Sequence, residues 1–241
     1  MNQSRQALGT SPQPTDTNAP AVDARQLSKR YGRTWALRRV DLRVERGELL
    51  GLLGPNGSGK TTLLRILSTL TRPTFGAFSI LGEPARSRSA ILPRIGVLAD
   101  QAYMYGELTA RENLRFAGVM YGLDLDEDSL LEALAGVGLA KVAGREIRTF
   151  SSGMRKRLSL ARATLHDPEL VLMDEPYGAL DVEGMAWVDR FVTELRAANR
   201  AAIIATHEVD RAKRLCDRAL RLDAGRVTYA GPIDGYEVAA E

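Results

Sequence analysis

The chain holds 241 residues, 44% hydrophobic and 26% charged, an ordinary mix for a water-soluble protein with a substantial core. Its 33 basic and 30 acidic side chains leave a formal charge of +3, too small for a dedicated nucleic-acid binder, so no nucleic-acid partner is expected. One cysteine, Cys216, excludes an internal disulfide, no apolar run reaches the ~20 residues of a membrane span, and the N-terminus lacks the apolar stretch of a secretory signal.

Residues 1–20 are rich in Ser, Thr, Gln and Pro and read as a flexible tail. Structure is expected from about Val22, where short apolar runs begin to alternate with helical patterns. That alternation marks a mostly parallel sheet covered by helices. Strands are predicted at 49–53, 95–98, 170–173 and 202–205, each almost uninterrupted in its apolar character and so suited to burial on both faces. Between 106 and 165 the pattern turns helical. Thr109 and Glu112 fit a capping box, with Leu114, Ala117, Met120 and Tyr121 following at helical spacing. Further helices are predicted over 126–137, 151–165 and 183–199, the last from the stripe Val188, Phe191, Val192 and Leu195. The reading is one α/β domain over 21–230, with a helical subdomain inserted between two strands and a short tail over 231–241.

Gly54-Pro55-Asn56-Gly57-Ser58-Gly59-Lys60-Thr61 fits G-x-x-x-x-G-K-[ST]. Glycines let the backbone wrap closely around phosphate oxygens and turn its N–H groups inward. The loop sits between an apolar strand and a helix expected to start near Thr61 and Thr62, whose positive end adds to the field. Lys60 is placed to reach the β- and γ-phosphates, and the Thr61 hydroxyl to ligate Mg²⁺.

The strand at 170–173 ends in Asp174 and Glu175. Carboxylates at that end of a strand face the crevice where open α/β sheets bind ligands. Asp174 suits a hold on Mg²⁺, and Glu175 suits a general base for the attacking water. His207 follows the strand at 202–205, and Gln101 follows that at 95–98; taken alone each is a weak signal. His166, in a turn after a helix, reads as structural.

Taken together, these residues resemble the nucleotide-binding subunit of an ATP-binding cassette (ABC) transporter. The resemblance spans about 22–230 and rests on an ordered set: Tyr31 ahead of the first sheet, the phosphate loop, Gln101, Phe150-Ser151-Ser152-Gly153-Met154, Asp174-Glu175-Pro176, Asp181 and His207. It implies an α/β P-loop NTPase (RecA-like) core with an antiparallel β subdomain and an inserted helical signature subdomain. By that resemblance Tyr31 stacks on adenine, Gln101 touches Mg²⁺ and the water, and His207 meets the γ-phosphate. Ser151, Ser152, Gly153 and Met154 are implied to be the signature that binds ATP held by a second subunit, and Asp181 lies in the loop crossing between subunits. Ser152, Met154 and Gly178 depart from the family's usual Gly, Gln and Ser. Arg155-Lys156-Arg157 reads as a solvated helix face.

The implied function is Mg²⁺-dependent ATP hydrolysis powering a separate integral membrane permease, with the chain peripheral on the cytoplasmic face of the membrane. It would work as a homodimer or as a heterodimer with a related ATP-binding subunit. The resemblance is to exporter-type subunits, and within those to the haem-exporter ATP-binding subunit of cytochrome c maturation. Drug, lipid or polysaccharide export is the alternative, and a soluble ABC ATPase acting on ribosomes or DNA is the rival class.

Overall fold

The computed structural model describes residues 18–99, 104–178 and 180–237. The chain opens with two long strands, β1 (Val22–Tyr31) and β2 (Thr34–Val44), then β3 (Leu49–Leu53), α1 (Lys60–Leu67), β4 (Phe75–Ile80) and the short β5 (Glu83–Pro84). A one-turn α2 (Arg88–Ile91) and β6 (Ile95–Leu98) lead to the helical segment: α3 (Ala110–Met120), α4 (Glu127–Gly136) and α5 (Ser152–Thr164). The chain re-enters the core through β7 (Leu170–Asp174), α6 (Val182–Ala197), β8 (Ala201–Ala205), α7 (Val209–Leu215), β9 (Arg218–Asp223) and β10 (Arg226–Pro232).

Two sheets result. An antiparallel one runs β2-β1-β4-β5, and a six-stranded one runs β10-β9-β3-β8-β7-β6, parallel except at β10. Every residue of β3, β7 and β8 is buried, which is why these strands read as continuous apolar runs. The antiparallel hairpin is irregular instead. Its register shifts between Ala24 and Leu27 and again before Lys29, with Gln26 at φ 52°. The Asp41 carboxylate accepts hydrogen bonds from the Gln26 backbone N–H and side-chain amide, both at 2.7 Å, so the N–H of Gln26 at the bulge is satisfied.

One core fills the space between the sheets around α1, with Leu37, Val40, Leu63, Ile66 and Ile80 inside. A second lies on the opposite face of the parallel sheet under α6 and α7, and a third holds α3, α4 and α5 together. Trp187 on α6 packs against both the second and the third, and its Nε1–H donates to Gly136 O at the end of α4. The helical subdomain is thereby tied to the core through this aromatic side chain, and also through Leu160 of α5, which lies in the second core.

The helices at 110–120, 127–136 and 152–164 form as the sequence predicts, each with its cap. Thr109 and Glu112 make a reciprocal capping box, Asp126 accepts from Ser129 N, and Ser151 from Met154 N. Three expectations are corrected. Tyr31 is the last residue of β1 rather than preceding the sheet. The packed chain continues past 230, because β10 runs to Pro232 and Ile233 and Tyr236 are buried in the second core. Lys156 is buried, since the first turn of α5 turns that side chain inward and leaves only Arg155 exposed and Arg157 half-buried.

Candidate active site

The phosphate loop joins β3 to α1. Three glycines in it, at 54, 57 and 59, have positive φ, and two of them need to be glycine for space as well. A Cβ on Gly54 would lie 2.2 Å from Leu222 O, and one on Gly59 would lie 2.6 Å from Ala36 O. Gly59 is the N-cap of α1 and offers no side-chain cap, so the N–H groups of the helix's first turn point into the cavity unclaimed by any cap. Pro55, Asn56, Gly57, Ser58, Gly59, Lys60, Thr61 and Thr62 line a cavity of ≈ 310 Å³, closed on the far side by Asp174 and Glu175 and flanked by Ala36.

Lys60 is buried, and its Nζ donates to Gly54 O at 2.7 Å and Pro55 O at 3.3 Å. Ser58 Oγ is buried with no hydrogen-bond partner among the described residues. A buried cation folded back on carbonyls and a buried hydroxyl without a partner together suit an anion that would engage both. Asp174, buried at the end of β7, and Thr61, exposed at the start of α1, face the same cavity and are oxygen donors of the kind Mg²⁺ takes.

Glu175 stands between two cationic or potentially cationic groups. Its Oε1 is 3.7 Å from Lys60 Nζ, and its Oε2 is 3.0 Å from His207 Nδ1. Its backbone is in the left-handed region at φ 45°, held by its N–H donating to Ala205 O (2.9 Å) and its C=O accepting from Gly178 N (3.2 Å). Glu175 leaves β7, and His207 leaves the adjacent β8 through the buried Thr206. The parallel register therefore brings two residues 32 apart in sequence to one edge. His166 lies elsewhere: it stacks on Tyr121 with ring centroids 3.8 Å apart and bonds Ile95 O, and burial holds its pKa below the usual value.

Among the described residues, the others singled out in the sequence do not line this cavity. Ser151, Ser152, Gly153 and Asp181 line a separate one with Arg157, Trp187 and Arg190. Met154 packs toward the helical core. Ser151 and Asp181 each cap their own helix, accepting from Met154 N (3.2 Å) and Gly184 N (2.8 Å). Tyr31 is half-exposed at the β1–β2 turn, 5.0 Å from Lys29 Nζ, outside the residues lining the phosphate cavity. Gln101 lies outside the described residues.

A glycine loop feeding a helix at the C-terminal edge of a parallel sheet, with two carboxylates ending a strand of the same sheet, defines a P-loop nucleotide hydrolase. Residues 37–178 match the ABC transporter family (ABC_tran), and the chain belongs to it. It is 34% identical to the ABC transporter ATP-binding protein NatA of Bacillus subtilis (strain 168) over 84% of each chain. It is 39% identical to the daunorubicin resistance ATP-binding protein DrrA3 of Streptomyces coeruleorubidus, over 89% of this chain and 69% of that one. It is 36% identical to the Nod factor export ATP-binding protein I of Cupriavidus pinatubonensis, over 87% of this chain and 66% of that one. Among solved structures it resembles the ATP-binding cassette MJ0796, a dimer in a post-hydrolysis state bound to ADP and Pi. The TM-score there is 0.82 at 26% identity, over 89% of this chain and all of that one. The chain is an ATP-binding and ATP-hydrolysing subunit of the ABC transporter class.

Proposed function

We propose that this chain is the motor of an exporter of small amphiphilic or drug-like molecules, acting through a separate membrane permease. The observation that carries the catalytic part is the Lys60–Glu175–His207 cluster at the sheet edge. In this arrangement the Glu175 carboxylate lies between the other two side chains, bonded to His207 and short of bonding distance from Lys60. ATP phosphates would compete for Lys60 and His207 and leave the Glu175 carboxylate to orient the attacking water and accept its proton. Thr61, Asp174 and Gln101 are the candidates to hold Mg²⁺, which when bound neutralises charge developing on the phosphate oxygens. Lys60 and the first-turn N–H groups of α1 would bind the phosphates, and Tyr31 would cover the base. Replacing Glu175 by Gln should lower kcat by on the order of 10²–10⁴ with Mg-ATP affinity kept. A variant that turns over like wild type removes Glu175 from the mechanism.

The separation of the Ser151–Met154 segment from the phosphate cavity supports a second proposal, that each chain contributes half of two composite sites in a dimer. The dimeric state named for MJ0796 is consistent with it. A groove of ≈ 760 Å³ between the parallel sheet and α3 supports the permease contact, because Leu70, Tyr105, Phe116 and Met120 line it and remain exposed. Among the described residues no helix is long and apolar enough to cross a membrane, so in this reading the chain attaches to the membrane through that groove. Affinity capture of tagged Glu175→Gln protein from solubilised membranes with Mg-ATP should bring down a polytopic partner in stoichiometric amount. Ribosomes or DNA in its place would move the protein to the soluble class.

For the cargo, the relatives are named for daunorubicin resistance, Nod factor export and linearmycin resistance. These names favour a drug- or lipid-type exporter, and the haem-export reading draws no support from them. Deleting the gene should raise sensitivity to amphiphilic drugs and leave c-type haem staining intact. Lost staining would restore haem export.

A further inference from the structure

Glu175 adopts a backbone conformation that a side chain with a Cβ rarely takes, and such a residue persists only where its surroundings hold it. Two residues on, Tyr177 is buried, and Arg211 lies against its ring with the guanidinium carbon 5.2 Å from the centroid. The same guanidinium reaches Asp189, with Nη1 2.5 Å from Oδ2. Burial first, and the Asp189 carboxylate second, push the Tyr177 phenol far above its ordinary pKa, so it stays protonated beside that carboxylate. Each member comes from a different element. Tyr177 lies in the turn after Glu175, Asp189 on α6 two turns past its cap Asp181, and Arg211 on α7 four residues past His207. The chain of contacts therefore closes on itself, from Glu175 through Tyr177, Arg211 and α7 to His207, and back across 3.0 Å to Glu175.

We propose that Tyr177, Asp189 and Arg211 are positioning residues that lock the turn after Glu175 and the helix after His207 into one frame, keeping carboxylate and imidazole opposed. The proposal rests on the roles assigned to Glu175 and His207 above. A planar guanidinium can lie flat on the phenol and pair with the carboxylate at once, whereas a compact ammonium cannot stack and holds both partners less well.

The test is steady-state Mg-ATP hydrolysis by the full chain, with KM, kcat and melting temperature recorded for each variant. Arg211→Met should lower kcat about tenfold while KM for ATP stays within about twofold, the split expected when transition-state geometry is lost and binding is kept. Tyr177→Leu should do the same. The double variant should be no slower than the worse single, because residues acting as one unit are not additive. Arg211→Lys, the milder change, should recover part of kcat at an unchanged melting temperature. Several outcomes overturn the proposal: kcat within twofold of wild type in Arg211→Met, full recovery in Arg211→Lys, multiplicative losses in the double variant, or kcat falling only in step with melting temperature. Turnover that survives Glu175→Gln overturns the assigned role of Glu175 and this cluster together. Turnover that Glu175→Gln abolishes but Arg211→Met leaves unmoved overturns the cluster alone.

Discussion

Strand β7 has an acid at each end, and the two are treated in opposite ways. Glu169, just before the strand, is met by two arginines: Arg46 at 2.6 Å, and Arg94 at 2.6 and 3.1 Å from its two oxygens. Glu175, just after it, is offered a lysine at 3.7 Å, beyond hydrogen-bond reach, and an exposed histidine, on a backbone in the left-handed region. At the N-terminal edge the polar groups are matched, and that edge holds the sheet together. At the C-terminal edge they are under-matched, which leaves them able to respond to a ligand. A charge satisfied within the chain contributes to the fold; one left partly unsatisfied is available for chemistry.

The sharpest way to break this contrast is at Lys60. Lys60→Ala removes the only cation among the described residues lining the phosphate cavity and should lower kcat/KM for ATP by on the order of 10²–10³, the usual cost of losing one preorganised charge-stabilising group. Turnover within a few-fold of wild type would mean that the under-matched edge is not where phosphate binds. Next in size is Gly59→Ala, at φ 112° with Ala36 O 2.6 Å from the added carbon. It should cost about 1–3 kcal/mol in urea unfolding, because the strain cannot relax without moving β2. It should also weaken ATP binding. A variant as stable as wild type would show that the loop is softer than its geometry implies.

The phosphate loop was legible in the sequence because its glycines, Lys60 and Thr61 fall within eight residues; the close approach of Leu222 O to Gly54 and of Ala36 O to Gly59 was not. The buried strands and the three capped helices were legible because their signals are local too. What escaped was non-local. Arg211 and Asp189 gain meaning only when α6 and α7 come together over Tyr177, and Trp187 only because α4 ends beside it. The bulge at Gln26 breaks the alternation that would have marked β1 as a two-faced strand. Ile233 and Tyr236, isolated apolar residues in a polar stretch, carried no periodic signal, so the packed C-terminal segment read as a tail. The pairing of Glu175 with His207 required the register of β7 and β8, which no spacing in the sequence discloses.

The N-terminus of α5 contrasts with that of α1. Unlike Gly59, Ser151 caps its own helix with its hydroxyl on Met154 N. Ser151→Ala should therefore cost ~1 kcal/mol of stability and lower turnover, while ATP affinity of the isolated chain changes by less than about twofold. An affinity loss as large as that of Lys60→Ala would place the Ser151 segment in the same chain's phosphate site and end the composite-site proposal.

The smallest effect tests the matched end of β7. The Arg94 hydrogen bonds, reinforced by Arg46 against the cost of partial burial, hold the Glu169 carboxyl down from an ordinary 4.5 to about 2. A carboxyl whose pKa is depressed on folding stabilises the native state above its unfolded pKa. That contribution fades as pH falls from about 4.5 toward 2, where the folded group also protonates. Because the carboxylate remains partly open to solvent, its contribution is on the order of 1 kcal/mol rather than the full value of a buried pair. Glu169→Gln should therefore lower urea stability by about that amount at pH 7 and leave a smaller difference at pH 3, without changing kcat. Equal destabilisation at both pH values would mean that Glu169 acts through shape and not charge. A fall in kcat would mean that the two ends of β7 are not independent: the matched edge would then be helping to set the geometry of the edge to which the chemistry is assigned above.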